Sequence, residues 1–185
     1  SAATLVEDTE PVQNDFLDRA YPNGSNGELL RIDDEWWFTD SWSRANRNAD
    51  WSNKGTTNPV RYHTEWIRRS KETDYDYSSF ISWTQMISSN GGHGKTLEEL
   101  ERYADTQKMT ANAAVRGWID DWDNLTRNRG KNGYFFRRPT DGRWTLQHWD
   151  SDLAFQNTDA PFIGNLSGVR YYFHDPEIRR YLNYY

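Results

Sequence analysis

The sequence contains no cysteine, which excludes disulfides, thiolate metal sites and cysteine nucleophiles. It has no apolar run long enough to span a bilayer. It has no dense Lys/Arg tract. Its 22 basic residues are interspersed with 28 acidic ones for a net charge of -6, which argues against a nucleic-acid partner. No secretory leader is visible at Ser1, as expected for a cytosolic protein, a mature secreted one or a fragment of something longer. Hydropathy is also low, with a mean of -1.05. A chain that polar, without other resources, buries too little surface to fold.

The chain does have aromatic mass: 10 Trp, 11 Tyr and 8 Phe. Each such side chain buries a large area, so the core is expected to rest on aromatics more than on aliphatics. A length of 185 residues suits one domain with a real core.

Local signals place the elements. TLVE (4–7) reads as a short strand, and DFLDRAY (15–21) as a short helix with Phe16, Leu17 and Ala20 on one side. NGSNG is a turn cluster, followed by a strand in GELLRID. Residues 36–59, rich in Asn, Ser, Arg and Trp without a clear period, read as a long ordered loop. RYHTEWIRR is open between strand and helix. Tyr77, Phe80, Ile81, Thr84 and Ile87 recur at helical spacing. Thr96 and Glu99 form a capping box for a helix through Leu97, Leu100 and Tyr103, and a further helix covers 107–119. In DPEIRRYLNYY, Asp175 caps a helix, Pro176 suits its first turn, and Ile178, Tyr181, Leu182 and Tyr185 share a face. YFFRR, the turn PTDG and RWTLQHW make a hairpin signal. The expected class is α+β, mostly helical, with a central β-hairpin.

GGHGKT resembles the end of a phosphate-binding loop, but Ser89 stands where the motif needs glycine, and a helix rather than a strand precedes it. It reads as a helix–loop–helix connection. His63, His93, His148 and His174 show no ligand spacing.

The hairpin carries more information. With a tight turn at 139–142, residues whose numbers sum to about 281 lie opposite each other. Phe135 then faces Leu146, Arg138 faces Arg143, and Asp150 arrives beside Lys131 and Asn132. In an extended segment Asp150 and Asp152 point to the same side. Their setting, HWDSDLAF, is apolar, where paired carboxylates are costly. Together with Asp123 and an amide oxygen from Asn128 or Asn132 they form an all-oxygen set that suits Mg²⁺, Mn²⁺ or Ca²⁺. A structural alternative is equally open, in which Asp150 pairs with Lys131 or Arg129 and Asp152 caps a turn.

An Asp in a polar loop, an Asn, a hairpin and a second Asp follow the order used by protein kinases. WDNLTRNRGKNGYFFRRPTDGRWTLQHWDSDLAF resembles the core signature of the CotH kinase family, the atypical kinases named for spore coat protein H. TLVEDTEPVQNDFLDRAYPNGSNGELLR is similar to the family's strand, short helix and glycine turn, and DPEIRRYL to its following segment.

The resemblance implies a protein-kinase-like C-terminal lobe with its hinge strand, residues 1–185 forming a single partial domain with the upper lobe largely absent. The family's upstream strands, with a nucleotide-covering loop and a phosphate-binding Lys, find no counterpart here. It also implies Mg-ATP-dependent phosphoryl transfer to Ser or Thr of a coat or surface protein. ATP and Mg²⁺ (or Mn²⁺ or Ca²⁺) are then the cofactors. The missing N-terminal part of the domain is an implied partner, nucleic acid and a membrane span are not, and a secreted or cell-surface location is favoured.

By the same resemblance, Asp123 orients or deprotonates the acceptor hydroxyl. Asn132, with Asn128 as competitor, binds the metal, Asp150 is its principal ligand, and Asp152 supports it. Lys131 or Arg127 faces a phosphate. The loop from Asp123 to Asn132 is longer than the usual catalytic-loop spacing. A reading from another class stays open: a non-catalytic structural or surface-binding protein with a cation-braced acidic hairpin.

Overall fold

A computed structural model describes residues 10–33, 49–70, 74–88, 94–127, 129–152, 154–155 and 161–185. In chain order the elements are α1 (Asn14–Ala20), β1 (Glu28–Ile32), α2 (Val60–His63), β2 (Trp66–Arg68), α3 (Ser78–Ser88), α4 (Leu97–Glu101), α5 (Thr106–Trp118), β3 (Gly133–Arg137), β4 (Trp144–His148), α6 (Val169–Tyr172) and α7 (Pro176–Tyr184). The strand expected at 4–7 and most of the loop expected at 36–59 lie outside the described residues.

The hairpin has the predicted register. Phe135 pairs with Leu146, and the Arg138 N–H donates to the Arg143 carbonyl at 3.0 Å. Gly142 takes φ 70° as it closes the turn, a conformation that glycine adopts without a Cβ penalty. The expected mixture of helices with a central hairpin is present, and the hairpin is part of something larger: β3 and β4 are half of a four-stranded antiparallel sheet of order β2-β1-β3-β4. β1 pairs with β3 from Glu28↔Arg137 to Ile32↔Gly133, and β2 pairs with β1. The fold is thus mixed α/β, with seven helices among the described residues. RYHTEWIRR, ambiguous in sequence, contains both α2 and β2.

Both faces of β3 are covered by packed side chains, and its alternating aromatics divide between two cores. Tyr134 and Phe136 join Val12, Leu17 and Leu29 under α1. Phe135 joins the larger core with Trp51, Trp66, Phe80, Trp83, Trp144 and Tyr172. Aromatic rings therefore do most of the filling, as the composition implies.

Helix starts are fixed by side-chain caps. Thr96 and Glu99 form the reciprocal capping box of α4. Asp175 Oδ1 accepts from the Glu177 N–H at 2.8 Å to start α7, while Oδ2 accepts from the Leu97 N–H at 2.9 Å to start α4. At the β4 edge, the Trp144 N–H donates to Tyr103 and the Trp144 carbonyl accepts from Asp105. The opposite edge, β2, is three residues long.

Candidate active site

β3 and β4 finish side by side. Gly133↔His148 is the pair at this end of their ladder, so Asn132 and Trp149 leave the sheet together. Asn132 then has φ 55° and Asp150 has φ 52°. Asn and Asp enter this left-handed region more readily than most residues, but positions of this kind store strain and cluster at functional sites. The turn at Asp150 overrides the extended alternation expected for Asp150 and Asp152. Asp150 instead folds its carboxylate back to accept the Asp152 N–H at 3.3 Å. Both side chains are exposed.

Beneath this end lies Arg116 of α5, buried with 3% of its side chain accessible. Its guanidinium donates to the Asp121 carboxylate, to the Asn132 carbonyl, to the Trp149 carbonyl at 3.3 Å and to the Asp150 carbonyl at 3.0 Å. Burial presses its pKa down, and Asp121, Asp123 and Asp150 push it back up. The Ser151 hydroxyl donates to Asp121 at 2.9 Å and lies 3.2 Å from His148 Nε2. The His148 pKa is lowered, first by burial and then by Arg116. Sequence reasoning misses Arg116 and Asp121. The only available signal is an arginine in the last turn of α5 followed by the acid-rich run IDDWD.

Asp123 lies in the loop between α5 and β3, fully buried. Asn124 Oδ1 shapes that loop by accepting from the Thr126 N–H and hydroxyl at 2.9 and 2.8 Å. Gly164 clips it from outside, donating to the Thr126 carbonyl at 2.9 Å. Among the described residues, neither Asp123 oxygen meets a donor in ideal hydrogen-bond geometry, although Lys131 Nζ stands 3.2 Å from Oδ2 as an ion-pair partner. Among the described residues, the buried Asn132 amide nitrogen also lacks a partner in ideal geometry, although its side chain is close enough to Asp123 to help lower that carboxyl's pKa. Burial raises the Asp123 pKa above the ordinary carboxylate value, Lys131 pulls it back, and Asp121 adds to the rise.

The predicted residues therefore separate into groups. Asn132 and Asp150 are brought together on one guanidinium. Lys131 neutralises Asp123 rather than Asp150, and the turn is capped by Asp150 rather than Asp152. Arg127 is buried and committed to Asp120 at 2.7 Å and to the Pro161 carbonyl at 3.2 Å. Asn128 lies outside the described residues.

Among the described residues, no three His, Asp or Glu side chains converge enough to hold a metal ion, so Asp123, Asp150 and Asp152 do not form a standing carboxylate cage. Mg²⁺ rarely needs one, since it commonly takes one or two protein carboxylates and completes its shell with water and phosphate oxygens. Asn132 and Asp150 fit that pattern as hard oxygen donors on anchored backbone. The Asp123 carboxylate is fully buried with Lys131 as its countercharge.

A family model described as CotH kinase protein matches residues 6–181. The chain belongs to the CotH kinase family. No curated protein matches it. The CotH match spans the whole site, from Arg116 to Asp152. Within this CotH chain, no helix among the described residues is long and apolar enough to cross a membrane.

Proposed function

We propose that the chain is the C-terminal lobe of a CotH-type protein kinase, using Mg-ATP to phosphorylate Ser or Thr of a coat or surface protein. One observation carries this reading: Asp123, Asn132 and Asp150 sit around the open end of one hairpin, in the chain order phosphoryl transfer uses. Bound Mg²⁺ would supply charge neutralisation on the phosphates. Asn132 and Asp150 would hold it, with Asp152 fixing the Asp150 carboxylate through its N–H. Asp123 would orient the acceptor hydroxyl and take its proton. Its raised pKa suits that task, because a base works best when its pKa approaches the ambient pH. Lys131 would keep the Asp123 carboxylate ionised, and could turn to a phosphate.

The non-catalytic reading has one observation in its favour: Lys131 already gives Asp123 a countercharge within the chain. Titration calorimetry with Mg-ATP and a phosphotransfer assay separate the two readings. Asp150→Asn is expected to abolish Mg-dependent nucleotide binding. Asp123→Asn is expected to keep binding and lose roughly 10²–10⁴-fold in kcat. Equal Mg-ATP binding by the parent and Asp150→Asn would defeat the kinase reading.

A further inference from the structure

We propose that Arg116 is the positioning residue of this site, setting from inside the fold the spacing between Asn132 and Asp150 on which phosphoryl transfer depends. The proposal rests on the kinase reading above. Four acceptors from three chain segments meet on this one side chain: the Asp121 carboxylate after α5, the Asn132 carbonyl before β3, and the Trp149 and Asp150 carbonyls after β4. A guanidinium is planar and presents its N–H groups in a fixed fork. Acceptors bound to it inherit that geometry. An ammonium, a single charged point, cannot reproduce it.

The cost of the arrangement argues for a purpose. Arg116 and Asp121 are 3% and 0% exposed, and a buried ion pair commonly stabilises no more than apolar side chains of the same volume. Two of the carbonyls it holds belong to Asn132 and Asp150, both in left-handed backbone, which adds strain. What the cluster secures is the direction in which the Asn132 and Asp150 side chains leave the sheet. Asp121 is in turn held by the Ser151 hydroxyl at 2.9 Å, so the clamp reaches into the acidic segment itself. Arg116 bonds to backbone carbonyls and a carboxylate, never to a reacting atom, and so acts through other residues.

The test compares the parent chain with Arg116→Lys and Arg116→Ala. Nucleotide-free hydrogen exchange is read over 131–133 and 149–152, alongside kcat and KM for ATP turnover. In Arg116→Lys both segments are expected to exchange faster together while α3 and α7 keep their protection. The kcat is expected to fall roughly 10- to 100-fold, as for other residues that orient ligands from behind, with a smaller change in KM. Added guanidinium should restore part of the kcat of Arg116→Ala, and methylammonium should not. Should Arg116→Ala not fold, Arg116→Lys carries the test. Unchanged exchange in either segment, or parental kcat in Arg116→Lys, overturns the proposal. A parent chain that binds no Mg-ATP fails the kinase reading itself, and coupled exchange then still reports whether the clamp exists.

Discussion

Trp144 lies flat against Phe135, with ring centroids 4.5 Å apart and planes 5° from parallel. The two are diagonal neighbours on one face of the β3–β4 hairpin, since Phe135 pairs directly with Leu146. Phe135 also meets the rings of Trp51, Trp66, Phe80 and Trp83. This stack seats the hairpin on the core and so fixes where Asn132 and Asp150 emerge. Phe135→Ala is expected to cost about 3–5 kcal/mol, the usual loss for a fully buried aromatic. Urea denaturation measures it, and a loss under about 1 kcal/mol would show that the stack is dispensable.

Asp175 starts two helices at once, whereas the Thr96 side chain starts one. Thr96→Ala should lose about 1 kcal/mol. Asp175→Ala should lose about twice that, because α4 and α7 each lose an acceptor. Equal losses in chemical denaturation would mean that one of the two Asp175 bonds contributes nothing.

The raised Asp123 pKa has a definite sign in stability. Its folded form holds the proton more tightly than the unfolded chain, whose carboxyl titrates near 3.8. Between those two values the folded state binds more protons, so stability falls as pH rises through that window. Asp123→Asn lacks this loss. The variant is expected to melt higher than the parent at neutral pH, with the gap closing as pH drops below the ordinary carboxylate range. A parent that gains on the variant as pH rises would reverse the assignment.

Gly164 leaves no room for a side chain. A Cβ there would lie 1.2 Å from the Arg127 carbonyl oxygen, which belongs to the backbone of the Asp123 loop. Gly164→Ala must therefore push that loop inward or away, at a cost of about 1–3 kcal/mol or more. The same variant should depress phosphotransfer beyond what its stability loss predicts, because the displaced segment carries Asp123. Kinetics at a temperature where both proteins are fully folded provide the check.

Much of this was written locally in the chain. PTDG set the hairpin register because a tight turn leaves one alternation in phase with Phe135 and Leu146. Thr96, Glu99 and Asp175 announced helix starts because caps are short-range. The β1–β3 pairing was not legible, since it joins segments about a hundred residues apart in chain numbering and depends on which faces the rest of the fold buries. β2 was hidden because three residues offer too little alternation to separate strand from helix. The left-handed turn at Asp150 erased the expected alternation with Asp152. Arg116 was invisible for a different reason: three of its four acceptors are backbone carbonyls, which any residue supplies.

The two margins of the sheet bear on how the chain behaves at high concentration. Strands as aromatic as YFFRR and RWTLQHW are the kind that stack into fibrils when their backbone is open to a second molecule. Here β3 sits between β1 and β4, the outer groups of Trp144 are already bonded to Tyr103 and Asp105, and the far margin offers only three residues of β2. At Trp144 and along β2 a neighbouring molecule approaching sideways finds the ladder taken or short, so part of the protection against self-templating lies in the order of the strands.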